Sequence, residues 1–107
     1  MEKKILFIAT LDTKNRESEY LVAAINQIEG CRALVMDISM AGHALGHADI
    51  SAAEVAISGG SSIEEINNSR ERAKITATMI SGAITIAKDL LAERKIDGVI
   101  GLGGSTG

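Results

Sequence analysis

Ile5-Leu6-Phe7-Ile8-Ala9 is an unbroken apolar run of strand length. A strand with one face in water alternates apolar and polar side chains. A run that does not alternate buries both faces, as in a parallel sheet with helices above and below it. Two further runs of strand length follow: Ala33-Leu34-Val35-Met36, ending at Asp37, and Val99-Ile100-Gly101-Leu102. The first two are separated by a polar turn, Thr10 to Asn15, and by Arg16 to Glu29, where Leu21, Val22, Ile25 and Ile28 recur at helical spacing before Gly30 stops the helix.

The segment before the third run is less regular. Ser39 to Ala48 carries Gly42, His43, Gly46 and His47 and reads as a loop. Ser51-Ala52-Ala53-Glu54 has capping-box spacing, so a short helix is expected from there to about Ile57. Ser58-Gly59-Gly60-Ser61 reads as a flexible stretch. A long helix is then expected, beginning between Ser62 and Asn68 and ending near Lys95, with Ile75, Met79, Ile80, Ala83, Ile86, Ala87, Leu90 and Leu91 on one wide apolar face. Asp97-Gly98 turns the chain into the third strand. The resulting expectation is an α/β chain, a Rossmann-like three-layer fragment with a parallel sheet in the order 2-1-3. The first helix lies on one face and the long helix on the other.

Composition narrows the function. There is no Trp or Pro, one Tyr and one Phe, so the core must be built from small and branched aliphatics, which suits close packing of helix on sheet. A net charge of −3 gives no basic footprint for nucleic acid. No apolar run is expected to span a bilayer. The single cysteine, Cys31, has no partner for an intramolecular disulfide, so a reducing cytoplasm is the expected setting. A three-strand sheet leaves edges and aliphatic surface uncovered, so the chain is expected to need more polypeptide or to form a homo-oligomer.

Ligands of open α/β sheets bind at the carboxyl ends of the strands. Three segments are expected there: Thr10-Leu11-Asp12-Thr13-Lys14, Asp37-Ile38-Ser39, and the glycine-rich Gly103-Gly104-Ser105. Lys14 suits a phosphate, Thr13 and Ser105 offer hydroxyls, and Asp12 offers oxygen to Mg²⁺. Asp37 stands where an acidic residue accepts hydrogen bonds from a ribose. Set against this, Asp12 and Thr13 also suit the start of a helix, and Lys14 also suits an exposed surface. The glycine loop lacks the Gly-Lys-Ser/Thr of the classical phosphate loop, and the first strand does not lead into Gly-x-Gly-x-x-Gly. His43 and His47 have helical metal-site spacing, but the adjacent glycines oppose a helix and no nearby Cys completes a zinc set, so no metal site is read there.

Taken together, Thr10-x-Asp12-Thr13-Lys14, Val35-Met36-Asp37-Ile38-Ser39, Met79-x-x-Gly82-Ala83 with Arg72 seven residues ahead of it, and Gly98-Val99-Ile100-Gly101-Leu102-Gly103-Gly104-Ser105 resemble the tomato mosaic virus resistance protein-like ATP-binding family. Asp49-Ile50-Ser51 and Glu54-Val55-Ala56 are similar to its middle loop. The resemblance runs over nearly the whole chain. It implies that residues 1–107 form an incomplete N-terminal Rossmann-like nucleotide-binding domain, followed in family members by a larger C-terminal half. It also implies ATP or a related nucleotide, with Mg²⁺, as the ligand, held by Asp12, Thr13, Lys14, Asp37, Gly103, Gly104 and Ser105. Two alternatives stand beside it: a protein-interaction module, and part of an enzyme acting on a phosphorylated small molecule.

Overall fold

Three parallel strands form one sheet in the order β2-β1-β3 in the computed structural model, which describes residues 2–39, 48–68 and 70–102. The elements run β1 (Lys3–Ala9), α1 (Leu11–Gln27), β2 (Cys31–Asp37), α2 (Ala52–Ser58), α3 (Ile63–Asn68), α4 (Arg72–Ala92) and β3 (Gly98–Leu102). Strand order and parallel pairing are those expected from the unalternating runs. At the carboxyl edge, Ala9 of β1 pairs with Asp37 on one side and with Leu102 on the other, so the three strands end in register.

Each face of the sheet has its own core, because successive side chains of a strand point to opposite sides. Phe7 and Ala9 of β1 and Val35 of β2 pack with Leu11 and Ile25 of α1. Leu6 and Met36, on the opposite face, pack with Val55 and Ala56 of α2 and with Ile75 and Met79 of α4. The first helix and the long helix therefore lie on opposite faces, as expected.

Four details differ from the sequence reading. The polar segment Thr10–Asn15 is not a turn: α1 starts at Leu11 with Thr10 in the N-cap position. The irregularity survives only as a kink at Lys14, whose φ of −118° and ψ of 25° leave the helical region. The stretch Ser58–Ser61 is an ordered helix stop. Gly60 takes a positive φ of 89°, and the Gly60 and Ser61 N–H groups donate to the Ile57 and Ala56 carbonyls, closing the end of α2. The single long helix is two helices, α3 ending at Asn68 and α4 starting at Arg72, and α3 ends on Asn67-Asn68, residues that compete poorly for the helical state. Finally, α4 is long and apolar enough to cross a membrane by length and composition, which corrects the expectation that no such run exists. Here its Ile75, Met79 and Gly82 form a narrow buried stripe, whereas Ile80 and Leu91, expected on the same apolar face, are exposed because they lie on the far side of the helix.

The capping box is present. Ser51 Oγ accepts the Glu54 N–H at 3.2 Å and lies 3.4 Å from Glu54 Oε1. Helix α2 is short and packs closely against α4. Gly82 of α4 and Gly59 at the end of α2 have no room for a Cβ, because the Val55 and Thr78 carbonyl oxygens occupy that space. The two helix backbones therefore touch at these glycines.

Candidate functional site

The carboxyl edge is organised by Asp37, the last residue of β2, which is fully buried. Its Oδ1 accepts three hydrogen bonds: from the Leu11 N–H at 3.2 Å, from the Ser39 N–H at 2.9 Å, and from the Ser39 hydroxyl. Ser39 Oγ in turn accepts the Asp12 N–H at 3.0 Å. The N–H groups of Thr13 and Lys14 both donate to the Thr10 carbonyl, at 3.2 and 2.8 Å.

These bonds complete the start of α1. A helix leaves its first N–H groups without intrahelical acceptors, and a polar side chain at the N-cap ordinarily takes one. The Thr10 side chain takes none of them. Its hydroxyl lies instead 3.1 Å from that of Thr13. Asp37 and Ser39 do the capping from the neighbouring strand, and a carboxylate at this end also complements the helix dipole.

The second oxygen of the same carboxylate is left over. Asp37 Oδ2 is buried and has no hydrogen-bond partner among the described residues. An unpaired buried acceptor costs roughly 1–3 kcal/mol, so native structures keep few of them, and those they keep mark strain or a place for a ligand or water.

The expected site residues fall into three groups. Asp37 stands at the edge as expected, but its Oδ1 serves α1 rather than a free crevice. Asp12, Thr13 and Lys14 are brought to the same edge as the first turn of α1. The Asp12 side chain is half-buried, that of Thr13 is exposed, and Lys14 Nζ lies 3.4 Å from Glu17 Oε2 in a surface pair. Gly103, Gly104 and Ser105 lie outside the described residues, as do His43 and His47. Among the described residues no cluster of three or more His, Cys, Asp or Glu could hold a metal ion. Cys31 is free and half-buried at the opposite, amino end of β2.

Sequence reasoning missed Ser39 as a structural partner. The signal was available in the spacing: Asp-x-Ser lets the acidic side chain bond the backbone two residues on, an Asx turn. It also missed Asp49. The Asp49 carboxylate accepts the Val35 N–H at 2.7 Å, the Asp49 and Ile50 N–H groups donate to the Val35 carbonyl, and the Asp37 N–H donates to the Ile50 carbonyl. Residues 49–50 thus line the outer edge of β2 and hold the strand end that carries Asp37.

Comparison with known proteins bears on the family and not on the ligand. Residues 3–107 match the model of an uncharacterised protein family, the UPF0261 N-terminal domain. The chain is 40% identical over 107 residues to a UPF0261 protein of Clostridium tetani, covering 100% of this chain and 26% of that protein. It is 31% identical over 104 residues to a UPF0261 protein of Brucella suis, covering 97% of this chain and 25% of the relative. The chain therefore spans about a quarter of the length of the curated relatives it matches. No solved structure matches it. These descriptions carry no ligand and no reaction, so the ATP-binding name attached to the resemblance finds no support in them. The chain belongs to the uncharacterised protein family UPF0261, in which it corresponds to the N-terminal domain.

Proposed function

We propose that the carboxyl edge of this sheet binds a nucleotide, with a ribose hydroxyl donating to Asp37 Oδ2. The observation that carries this reading is the unpartnered buried oxygen at the end of β2. An isolated carboxylate oxygen in a buried site calls for a hydroxyl or amide donor, and a ribose supplies one. The strand order supports the same edge: β2 and β3 flank β1 on opposite sides, so the chain reverses direction across β1, the place where open α/β sheets bind ligands.

The capping network redistributes the roles expected of the loops. Helix α1 has no spare N–H for a phosphate, because Asp37, Ser39 and Thr10 take those of its first turn. The phosphates therefore fall to the glycine loop Gly103-Gly104-Ser105, with the Lys14 ammonium and the Thr13 hydroxyl as side-chain contacts from α1. Asp12 is the residue that would hold Mg²⁺, since that ion needs only one or two carboxylates beside the phosphate oxygens. The remaining three quarters of the longer relatives would supply the other wall of the site and any reaction performed there.

Calorimetric titration tests the reading with ATP, adenosine and inorganic tripolyphosphate. The titrated protein is a chimaera in which this chain replaces the matching quarter of the Clostridium tetani relative. Asp37→Asn keeps an acceptor for Leu11 and Ser39 but turns the second oxygen into a donor. It is expected to weaken ATP and adenosine by roughly tenfold or more, the effect of about 1.4 kcal/mol, and to leave tripolyphosphate unchanged. Equal affinity of the two proteins for adenosine overturns the assignment of Asp37, and no binding of any of the three ligands overturns the function.

A further inference from the structure

The two outer strands of this sheet are finished differently. The outer edge of β2 is lined by residues 49–50, which exchange backbone hydrogen bonds with Val35 and Asp37, Ile50 forming a parallel bridge to Met36. The outer edge of β3 has no such cover among the described residues, since β3 pairs only with β1.

Faces follow edges. A strand of a parallel sheet is normally covered on both sides. In β1, Leu6, Phe7 and Ala9 reach complete burial. In β3, Val99 is 55% exposed and Ile100 is 42% exposed. The register pairs Val99 with Leu6 and Ile100 with Phe7, so these two side chains open onto opposite faces of the sheet. The helix layer is uncovered in the same way: Ile80, Ile84 and Leu91 are all exposed. Their spacing of four and then seven residues puts them on a single stripe of α4, on the side turned away from its buried Ile75, Met79 and Gly82.

A free strand edge, two bare strand faces and an apolar helix stripe are the surfaces to which another strand and its helices dock. We infer that β3 is an interior strand of a larger sheet, and that its open edge and the Ile80–Ile84–Leu91 stripe are covered by the polypeptide that follows this N-terminal domain in full-length members of the family. One observation favours that occupant over a second copy: the matched relatives are about four times as long as this chain. An added strand would extend the order to β2-β1-β3-x, away from the edge that residues 49–50 close.

Amide hydrogen exchange tests this on three proteins: the 107-residue chain, the chimaera with the Clostridium tetani remainder, and the intact Clostridium tetani protein. Exchange in Gly98–Leu102, and in the strand of the relative that aligns with it, is expected to be slower by roughly a hundredfold or more in the two long proteins than in the short chain. Val99→Asp and Ile100→Asp are expected to leave the melting temperature of the short chain nearly unchanged and to lower that of the chimaera by several degrees or more. Equal exchange of the strand in short and long proteins overturns the inference. So does protection that appears in the short chain as its concentration rises and does not increase in the long proteins, because the edge then belongs to a second copy. Failure of nucleotide binding leaves these readouts untouched, since none of them involves a ligand.

Discussion

Gly82 of α4 lies so close to Val55 of α2 that a side chain on the glycine would overlap the Val55 carbonyl oxygen. Neither partner is a flexible side-chain end, so neither can yield. Gly82→Ala is therefore expected to push the two helices apart and to destabilise the chain by about 2–3 kcal/mol, in the upper part of the range for overpacked cores. Urea unfolding of wild type and variant measures it. A loss below about 0.5 kcal/mol, the level of an ordinary surface change, would mean that the helix pair separates freely.

Asp37→Ala removes the acceptor that serves Leu11 and Ser39 in a buried place. A loss of about 2–3 kcal/mol is expected, and about 1 kcal/mol for Ser39→Ala, which deprives the Asp12 N–H of its acceptor and Asp37 Oδ1 of one of its three donors. Asp37→Asn retains the acceptor and is expected to cost less than the alanine variant. Exchange at the Leu11 and Asp12 amides should accelerate in the alanine variants ahead of the rest of α1. Uniform acceleration along the helix would show that the cap is not a local element.

Ser18 faces inward from α1, and its hydroxyl is buried without a partner among the described residues. Ser18→Ala removes an unsatisfied group and raises helix propensity, so the variant is expected to be more stable by about 1 kcal/mol. A thermal melt checks the sign. A less stable variant would reveal that the hydroxyl is used.

Lys14→Ala separates folding from binding. The Lys14–Glu17 pair is solvent-exposed and joins residues three apart, a type of contact that contributes at most about 0.5 kcal/mol. Stability is expected to change within that range. ATP affinity of the long chimaera is expected to fall roughly tenfold through loss of one charge-assisted contact. Unchanged affinity in calorimetry would remove Lys14 from the site.

The parts of this architecture written as patterns of single residues could be read directly. Ile5–Ala9 announces a strand buried on both faces, Ser51 and Glu54 announce the start of α2, and the Ile75–Met79 spacing announces the inward face of α4. Parts that depend on a distant partner could not be read this way. Thr10–Asn15 looks like a turn because its polar residues make a poor isolated helix start. It is a helix because Asp37 and Ser39, some 26 positions on, accept its N–H groups. Asp37 itself was legible as an edge residue, but which of its oxygens would be occupied was not, since that follows from the placement of α1. Gly82 is legible in the sequence only as a member of the Met79-x-x-Gly82-Ala83 motif, and only the approach of α2 explains why no side chain fits there.

The hydrogen bonds from Leu11 and Asp12 to the far end of β2 also order events in time. Helix α1 can nucleate anywhere along its own length, but its first turn stays frayed until β2 has docked beside β1 and delivered Asp37 and Ser39. Contacts between residues so far apart in sequence form late, because the intervening chain must close first. The helix start is thus a reporter of sheet completion, and substitutions there should leave the folding rate almost unchanged while hastening unfolding.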